Sequence, residues 1–258
     1  MHPLTVPFIL LLPLAATAEA APSPEARGLE IAREVDKANS GFRGERARMD
    51  MELVNAHGDR TTRRMTSETR EEESDGDKSR VEFAWPADVK GTRMLTWSHK
   101  RDDDDQWLYL PAIKRTKRIN GRNKAGSFMG SEFAYEDLGS QEVEKYTHKH
   151  LADESLGGRD VWKVERVPVD SNSGYSRQVL WLDKTYKNPL KIEYYDRKGV
   201  LLKTATFSNY QQYGKFWRAG AIETVNHQTK KSSRLVWSER TLGTAPPASA
   251  FESSELEG

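Results

Sequence analysis

The chain has 258 residues, of which 31% are charged, and its formal net charge at pH 7 is +1. A charge so close to zero gives no support for a nucleic-acid-binding protein, which carries a strongly basic face. The sequence contains no cysteine, so disulfide bonds are excluded and the fold must be held by its core alone.

An apolar run of nine residues, VPFILLLPL, occupies positions 6–14 and is followed by small residues. The run is too short to span a bilayer, which takes about 20 apolar residues, but it has the length of a secretory signal peptide. We therefore predict that residues 1–20 are a cleaved signal peptide, cut after Ala18 or Ala20. The mature protein is then expected to be soluble and to work outside the cytoplasm.

Residues 24–39, PEARGLEIAREVDKAN, predict one amphipathic helix, since their apolar side chains recur at helical spacing. The helix is expected to end at Ser40 and Gly41, where glycine can cap it. Its apolar face would carry Leu29, Ile31, Ala32, Val35 and Ala38.

Beyond residue 41 the apolar residues alternate with polar ones, which is typical of β-strands with one buried face. Turn-forming residues separate the strand candidates, and no linker divides the chain. The pattern predicts a mainly β, α+β fold, with one strongly curved antiparallel sheet of about eleven strands. We assign residues 21–241 to a single domain, and the Pro/Ala/Ser-rich residues 242–258 to a disordered tail.

A cluster of positive charge follows the strand WLYLP at residues 107–111. Three interpretations of this patch stay open: a solvated strand face, a docking surface for an acidic protein, and a landing site for anionic lipid headgroups. The patch consists of Lys114, Arg115, Lys117 and Arg118.

A glycine-containing loop of about 17 residues then spans positions 120–136 and carries four large apolar side chains. Long loops in compact domains are functional or disordered, and four apolar side chains argue against disorder. We interpret the loop as a lid or plug formed by Phe128, Met129, Phe133 and Tyr135.

No catalytic or cofactor-binding motif is recognisable. Ser127 lies in Gly-Ser-Phe-Met-Gly, which lacks the spacing of a nucleophile elbow. His148 and His150 would share a strand face, but the sequence offers no third metal ligand. We therefore expect neither an enzyme nor a metal or cofactor site.

The aromatic residues of the strand candidates allow two interpretations of the concave side of the sheet. A curved sheet with one helix and an apolar loop encloses a space that its own side chains fill or that holds an apolar ligand. Periodicity alone does not distinguish the two.

The central segment and several positions of the second half resemble the outer-membrane lipoprotein-sorting protein family of bacteria, with the LolA-like fold. The similarity is greatest to the branch encoded beside RND/MMPL-type exporters, and it extends over most of the mature chain. The matching positions are Asp105-x-Trp107-x-Tyr109-Leu110-Pro111, Lys117-Arg118-Ile119, Ser127-Phe128-Met129-Gly130-Ser131-x-Phe133-x-Tyr135-Glu136-Asp137-Leu138, Trp181-Leu182-Asp183, Pro189, Tyr194-Tyr195 and Gly199.

The resemblance implies a half-barrel whose concave side is closed by a helix and a plug and holds a hydrophobic cavity. It implies a monomeric periplasmic carrier of a lipid or lipoprotein acyl chain that touches membranes transiently. The alternative is a non-enzymatic partner or lipid sensor of an RND/MMPL-type inner-membrane exporter. On this interpretation, the cavity wall is expected to consist of Trp85, Leu95, Trp97, Trp107 and Tyr109.

Overall fold

The structure is a computed structural model that describes residues 21–257. The predicted signal peptide, residues 1–20, lies outside the described residues. Within residues 21–257, no helix combines the length and the apolar character needed to cross a membrane.

The single α-helix of the described chain, α1 (Pro24–Asn39), has the bounds predicted from the sequence. Ser23 Oγ accepts a hydrogen bond of 3.1 Å from the backbone N–H of Ala26, and Pro24 occupies the first turn, where its missing N–H costs nothing. The helix ends at Ser40, and Gly41 follows with a φ of 90°. Local capping chemistry therefore sets both ends.

Fifteen strands follow the helix, and they are joined by short turns and six short 3-10 helices. The 3-10 helices are Pro111–Ile113, Gly121–Asn123, Tyr135–Asp137, Val143–Lys145, Ala248–Phe251 and Ser253–Leu256. The strands are β1 (Gly44–Val54), β2 (Arg60–Arg70), β3 (Lys78–Trp85), β4 (Arg93–Trp97), β5 (Asp105–Leu110), β6 (Arg115–Ile119), β7 (Tyr146–Leu156), β8 (Arg159–Pro168), β9 (Tyr175–Asp183), β10 (Asn188–Asp196), β11 (Leu201–Ser208), β12 (Gln211–Tyr213), β13 (Phe216–Arg218), β14 (Ala221–Asn226) and β15 (Ser232–Leu242).

Thirteen strands form one antiparallel sheet in the order β6-β5-β4-β3-β2-β1-β15-β14-β11-β10-β9-β8-β7, and β12 and β13 form a separate hairpin. The sheet is a half-barrel that does not close, with β6 and β7 at its edges. It has more strands than the eleven or so predicted, and both edge strands are highly polar. Charged side chains keep sheet edges soluble, and they also hide such strands from a search for apolar alternation.

The two faces of the sheet bury different side chains. The concave face carries two apolar clusters, one on β1–β5 and one on β8–β11, and Ile222 of β14 packs against both. Helix α1 covers the second cluster through Ile31 and Val35. On the opposite, convex face, smaller clusters centre on Leu95 and on Val161.

The C-terminal residues pack on the convex face, in contrast to the disordered tail expected from composition. Phe251 and Leu256 are each only 1% exposed, and they contact Leu95 and the rings around it. Trp97 Nε1 donates a hydrogen bond of 2.7 Å to the carbonyl of Phe251. Two apolar anchors and one partly buried hydrogen bond thus order a segment that is otherwise polar and rich in small residues.

Candidate functional site

The segment formed by residues 120–138, called the plug below, covers the concave face of β1–β5. Phe128 and Phe133 are buried in the apolar cluster there, where Phe128 packs 5.7 Å from the ring of Phe83 and 5.9 Å from that of Tyr135. Met129 is half-buried beside them and has a φ of 51°. The four side chains predicted to form a lid or plug therefore lie together in this cluster or at its border.

A buried ion pair fixes the plug to the sheet. Lys203 Nζ on β11 donates hydrogen bonds to Asp137 Oδ2 at 2.6 Å and to the carbonyl of Glu132 at 2.9 Å. Asp137 also accepts from the hydroxyl of Tyr175 at 2.9 Å. Burial raises the pKa of Tyr175 well above its ordinary value, so this hydroxyl remains a donor.

Further polar contacts hold the plug at its middle and near its C-terminal end. The Glu136 carboxyl accepts hydrogen bonds from Ser173 Oγ at 2.7 Å and from the N–H of Gly174 at 2.9 Å, and burial raises its pKa. The guanidinium of Arg63 on β2 donates to the carbonyl of Met129. The plug is thus held by polar bonds around an apolar centre.

A cavity of about 760 Å³ lies beside the plug, between α1, residues 140–143 and the concave face of β8 and β9. Its volume is within the roughly 300–1,000 Å³ range of small-molecule sites. Its apolar lining includes Ala32, Val35, Phe42, Val164, Leu180 and Leu182.

Arg166 of β8 also lines the cavity, and this residue is only 7% exposed. Its Nε donates to Gln178 Oε1 at 2.7 Å, and its Nη2 donates to Gln141 Oε1 at 2.8 Å. The guanidinium carbon lies 4.1 Å from the centre of the Tyr146 ring. A buried cation is therefore held in place by uncharged groups.

Acidic side chains form another part of the cavity lining. Glu45 is paired with Arg218 at 3.3 Å and with Arg240 at 2.9 Å, and Asp75 lies 2.7 Å from His99 Nδ1. Burial, opposed by a backbone hydrogen bond, raises the pKa of Asp77 to about 7. This part of the lining is consequently less negative near neutral pH than a count of its carboxyl groups indicates.

The cavity is not lined by the five side chains that were predicted for its wall. Trp85 lies at the end of β3 and is 47% exposed, with the Arg64 guanidinium 5.6 Å from its ring centre. The other four lie on the convex face, where the C-terminal segment covers them: Leu95, Trp97, Trp107 and Tyr109.

The alternation of side chains along β4 explains why Leu95 and Trp97 lie on the convex face. Met94 faces the plug and Leu95 faces the C-terminal segment, so both faces of this strand are apolar. Periodicity separates the two sets but does not say which set points inward. The same ambiguity applies to the cavity-lining Leu180 and Leu182, since the other face of β9 carries Val179 and Trp181.

The predicted basic patch lies at one edge of the sheet. Arg115, Lys117 and Arg118 are exposed on the edge strand β6, and Lys114 precedes them in a left-handed conformation with a φ of 48°. Arg118 is paired with Asp105 of the neighbouring strand. The four residues lie along one edge of the sheet, with Arg115 and Lys117 on one face of β6 and Arg118 on the other, and none of them lines the cavity.

Neither histidine of the predicted strand pair lies in a metal-binding group. His148 Nε2 is 3.0 Å from the carbonyl of Val143, and His150 Nε2 is 2.8 Å from Asp153 Oδ1. Among residues 21–257, no three His, Cys, Asp or Glu side chains are grouped so that they could hold a metal ion.

Comparison with known families gives one match over most of the chain. A family model described as "uncharacterized protein" matches residues 75–258. No curated protein sequence matches significantly.

Solved structures give three informative similarities. A domain from Vibrio parahaemolyticus, described as an outer membrane lipoprotein-sorting protein domain, is 51% identical, with 90% of this chain and 99% of that chain covered and a TM-score of 0.88. A DUF1329 family protein from Desulfovibrio piger is 29% identical, with coverages of 91% and 100% and a TM-score of 0.87. A LolA superfamily protein from Nitrosomonas europaea is 19% identical, with coverages of 88% and 98% and a TM-score of 0.71, and it shows the fold alone.

Proposed function

This chain belongs to the outer-membrane lipoprotein-sorting protein family and has the LolA-like fold, and on that premise we propose that it is a periplasmic carrier. It binds an acyl chain of a lipid or lipoprotein in the cavity beneath α1 and shuttles it between membranes. Its role is carriage and not catalysis. The name of the Vibrio relative supports an envelope location, and the proposal includes removal of residues 1–20 on export.

The observation that carries the proposal is the cavity of about 760 Å³ on the concave face. Its floor, formed by residues such as Val164, Leu180 and Leu182, is apolar, and α1 forms its roof. Each methylene group removed from water contributes about 0.8 kcal/mol. Transfer of an acyl chain from water into this cavity is therefore favourable.

The plug gives the carrier a way to enlarge the site. Phe128 and Phe133 cover the apolar side chains of β1–β5, and polar bonds to Lys203, Ser173 and Arg63 hold them there. Displacement of the plug would open a second apolar surface next to the cavity. A longer or branched acyl group would then be accommodated without exposing the sheet to water.

Native mass spectrometry of the protein purified from a periplasmic extract tests the proposal. We expect a co-purifying lipid mass that is lost when Ala32, which lines the cavity from α1, is replaced by tryptophan. Ala26 is exposed on the same helix, so Ala26→Trp is the matched control and should retain the lipid. A lipid-free wild-type mass, with no binding on lipid titration, would exclude carriage.

The basic patch supports a second proposal, in which the protein is a non-enzymatic partner or lipid sensor of an RND/MMPL-type inner-membrane exporter. The exposed cations at the edge strand β6 suit an acidic partner or anionic lipid headgroups. Charge reversal at Lys114, Arg115, Lys117 and Arg118 should abolish partner capture and leave lipid binding intact. If capture persists, the patch is only a solvated face.

A further inference from the structure

Arg166 is a buried cation without a buried counter-ion. Its two hydrogen-bond acceptors are the amide oxygens of Gln178 and Gln141, and its third contact is the ring of Tyr146. Among residues 21–257, no carboxylate forms an ion pair with it. Removing a charge from water without an opposite charge is costly, so such a group in a cavity points to an anion that is supplied from outside the chain.

Several other charged groups of the lining have an ion-pair partner. Arg218 is paired with Glu45, and Asp75 with His99. Glu72 is paired with Arg70 at 3.0 Å. The carboxylate of Glu71 accepts hydrogen bonds from the N–H groups of Gly41 and Arg43.

Within the described residues, the remaining acidic groups of the lining do not take the place of this counter-ion, since none of them forms an ion pair with Arg166. Asp36 is exposed to solvent on α1, Glu142 accepts a hydrogen bond of 2.6 Å from Ser140 Oγ, and Asp77 accepts one of 3.2 Å from the N–H of Glu72. Lys100 is a further cation of the lining, and its Nζ donates to the carbonyl of Glu73 at 3.1 Å. It adds positive charge to the cavity wall.

The surroundings of Arg166 give the geometry of a site for an amphiphile. Val164 lies two residues before it on the same face of β8, and Leu180 lies two residues after its partner Gln178 on β9. The side chains of Val164 and Leu180 line the same cavity as the guanidinium of Arg166. A charged group at Arg166 would therefore continue directly into a chain lying on apolar residues.

We propose that Arg166 binds the anionic group, a carboxylate or a phosphate, of an amphiphile whose hydrocarbon chain lies along Val164, Leu180 and Leu182. This inference rests on the proposed carrier function and specifies the class of its ligand. The planar guanidinium is suited to both anions because it offers several N–H donors. The hydrogen bonds of Nε to Gln178 and of Nη2 to Gln141 fix its orientation. Gln178, Gln141 and Tyr146 act as positioning residues.

The test compares amphiphiles that share a twelve-carbon chain and differ in the head: dodecanoate, dodecyl phosphate and dodecanol. Calorimetric or fluorescence-displacement titration of the mature protein should show about tenfold tighter binding of at least one anion than of the alcohol. In Arg166→Met this preference should disappear while dodecanol binding persists, and Arg166→Lys should restore part of it.

Arg177→Met is the matched control. Arg177 also stacks on a tyrosine, 3.5 Å from the Tyr195 ring centre, but that ring belongs to the convex-face cluster. The control should keep the full preference for the anion.

The outcomes separate the two proposals. If the wild type binds the alcohol and both anions equally, the role of Arg166 is overturned and carriage stands. If folded Arg166→Met still prefers the anion to the alcohol, the role of Arg166 is likewise overturned and carriage stands. If none of the three compounds binds, both proposals are overturned. If Arg166→Met fails to fold, Arg166→Lys takes its place, and an undiminished wild-type preference in that variant would overturn the role of Arg166.

Discussion

Lys203 Nζ donates a hydrogen bond of 2.6 Å to Asp137 Oδ2, and this bond joins strand β11 to the plug. Both side chains are buried, with 4% and 13% exposure. Removing one partner of a buried pair leaves an uncompensated charge and costs about 3–5 kcal/mol. We therefore expect Lys203→Met to lower the free energy of unfolding by that amount, as measured by urea denaturation.

Lys191→Met provides the control, because Lys191 forms a partly exposed pair with Glu193 at 3.0 Å. Pairs of that kind contribute about 0–1 kcal/mol. The double variant Lys203→Met/Asp137→Asn should lose less stability than the sum of the two single variants. Additive losses would show that the pair does not hold the plug.

Phe128 is the apolar anchor of the plug, at 2% exposure against Phe83. Replacing it with alanine leaves a cavity in the concave cluster, so we expect a loss of about 3–5 kcal/mol in urea denaturation. Met129→Ala, at the half-buried neighbouring position, should cost distinctly less. Equal, small losses for both variants would mean that the plug does not pack on the sheet in solution.

The C-terminal segment gives a prediction on the other face. Phe251→Ala removes an anchor that is 1% exposed, so the segment should detach from Trp97 and Trp107. We expect faster proteolysis after residue 247 and a red shift of tryptophan fluorescence as these rings meet water. Ser254→Ala, at an exposed position, should change neither. Rapid cleavage of the wild-type tail at the same site would restore the expectation of disorder.

Features set by neighbouring residues were predictable from the sequence, as α1 illustrates. Its bounds follow from Ser23, Pro24 and Gly41, which lie next to the helix in the chain. The half-barrel fold was likewise anticipated, since the resemblance indicated it.

Features that depend on distant pairing were missed. The environment of the Arg166 side chain depends on its hydrogen bond to Gln141, which lies in the segment before β7. The strand VWKVERV that contains it looked like any other strand. Trp97 lies on the face of β4 that Phe251 covers, and Phe251 is 154 residues away in the sequence. Both faces of β4 are apolar, so the sequence does not show which of them faces the concave side.

Asp77 makes stability depend on pH. Its pKa is raised to about 7 in the folded protein, mainly by burial, whereas an unfolded aspartate titrates near pH 4. The folded state therefore holds the proton more tightly, so this contribution to stability is full below about pH 4 and is lost as pH rises through about 7. We expect Asp77→Asn to raise the melting temperature at pH 8 and to leave it unchanged at pH 4.

Asp102→Asn changes an exposed carboxylate and should show no such difference between the two pH values. A melting temperature of Asp77→Asn that parallels the wild type across this range would mean that Asp77 titrates normally in the folded protein.

Gly28 provides a test of how closely α1 lies on the sheet. A Cβ atom at this position would be 2.6 Å from the backbone nitrogen of Lys149 and 2.7 Å from that of His150, both in β7. Backbone atoms of a paired strand cannot move aside as a flexible side chain can, so the helix itself must shift. Overpacking of this kind costs about 1–3 kcal/mol.

The sign of the effect makes the test informative. Alanine is a better helix former than glycine by up to about 1 kcal/mol, so an isolated α1 would be stabilised by Gly28→Ala. We expect the opposite in the folded protein: a lower melting temperature than that of Arg33→Ala, which changes an exposed position of the same helix. Because α1 is the roof of the cavity, Gly28→Ala should also retain less lipid. A rise in melting temperature would show that the helix does not contact β7 so closely.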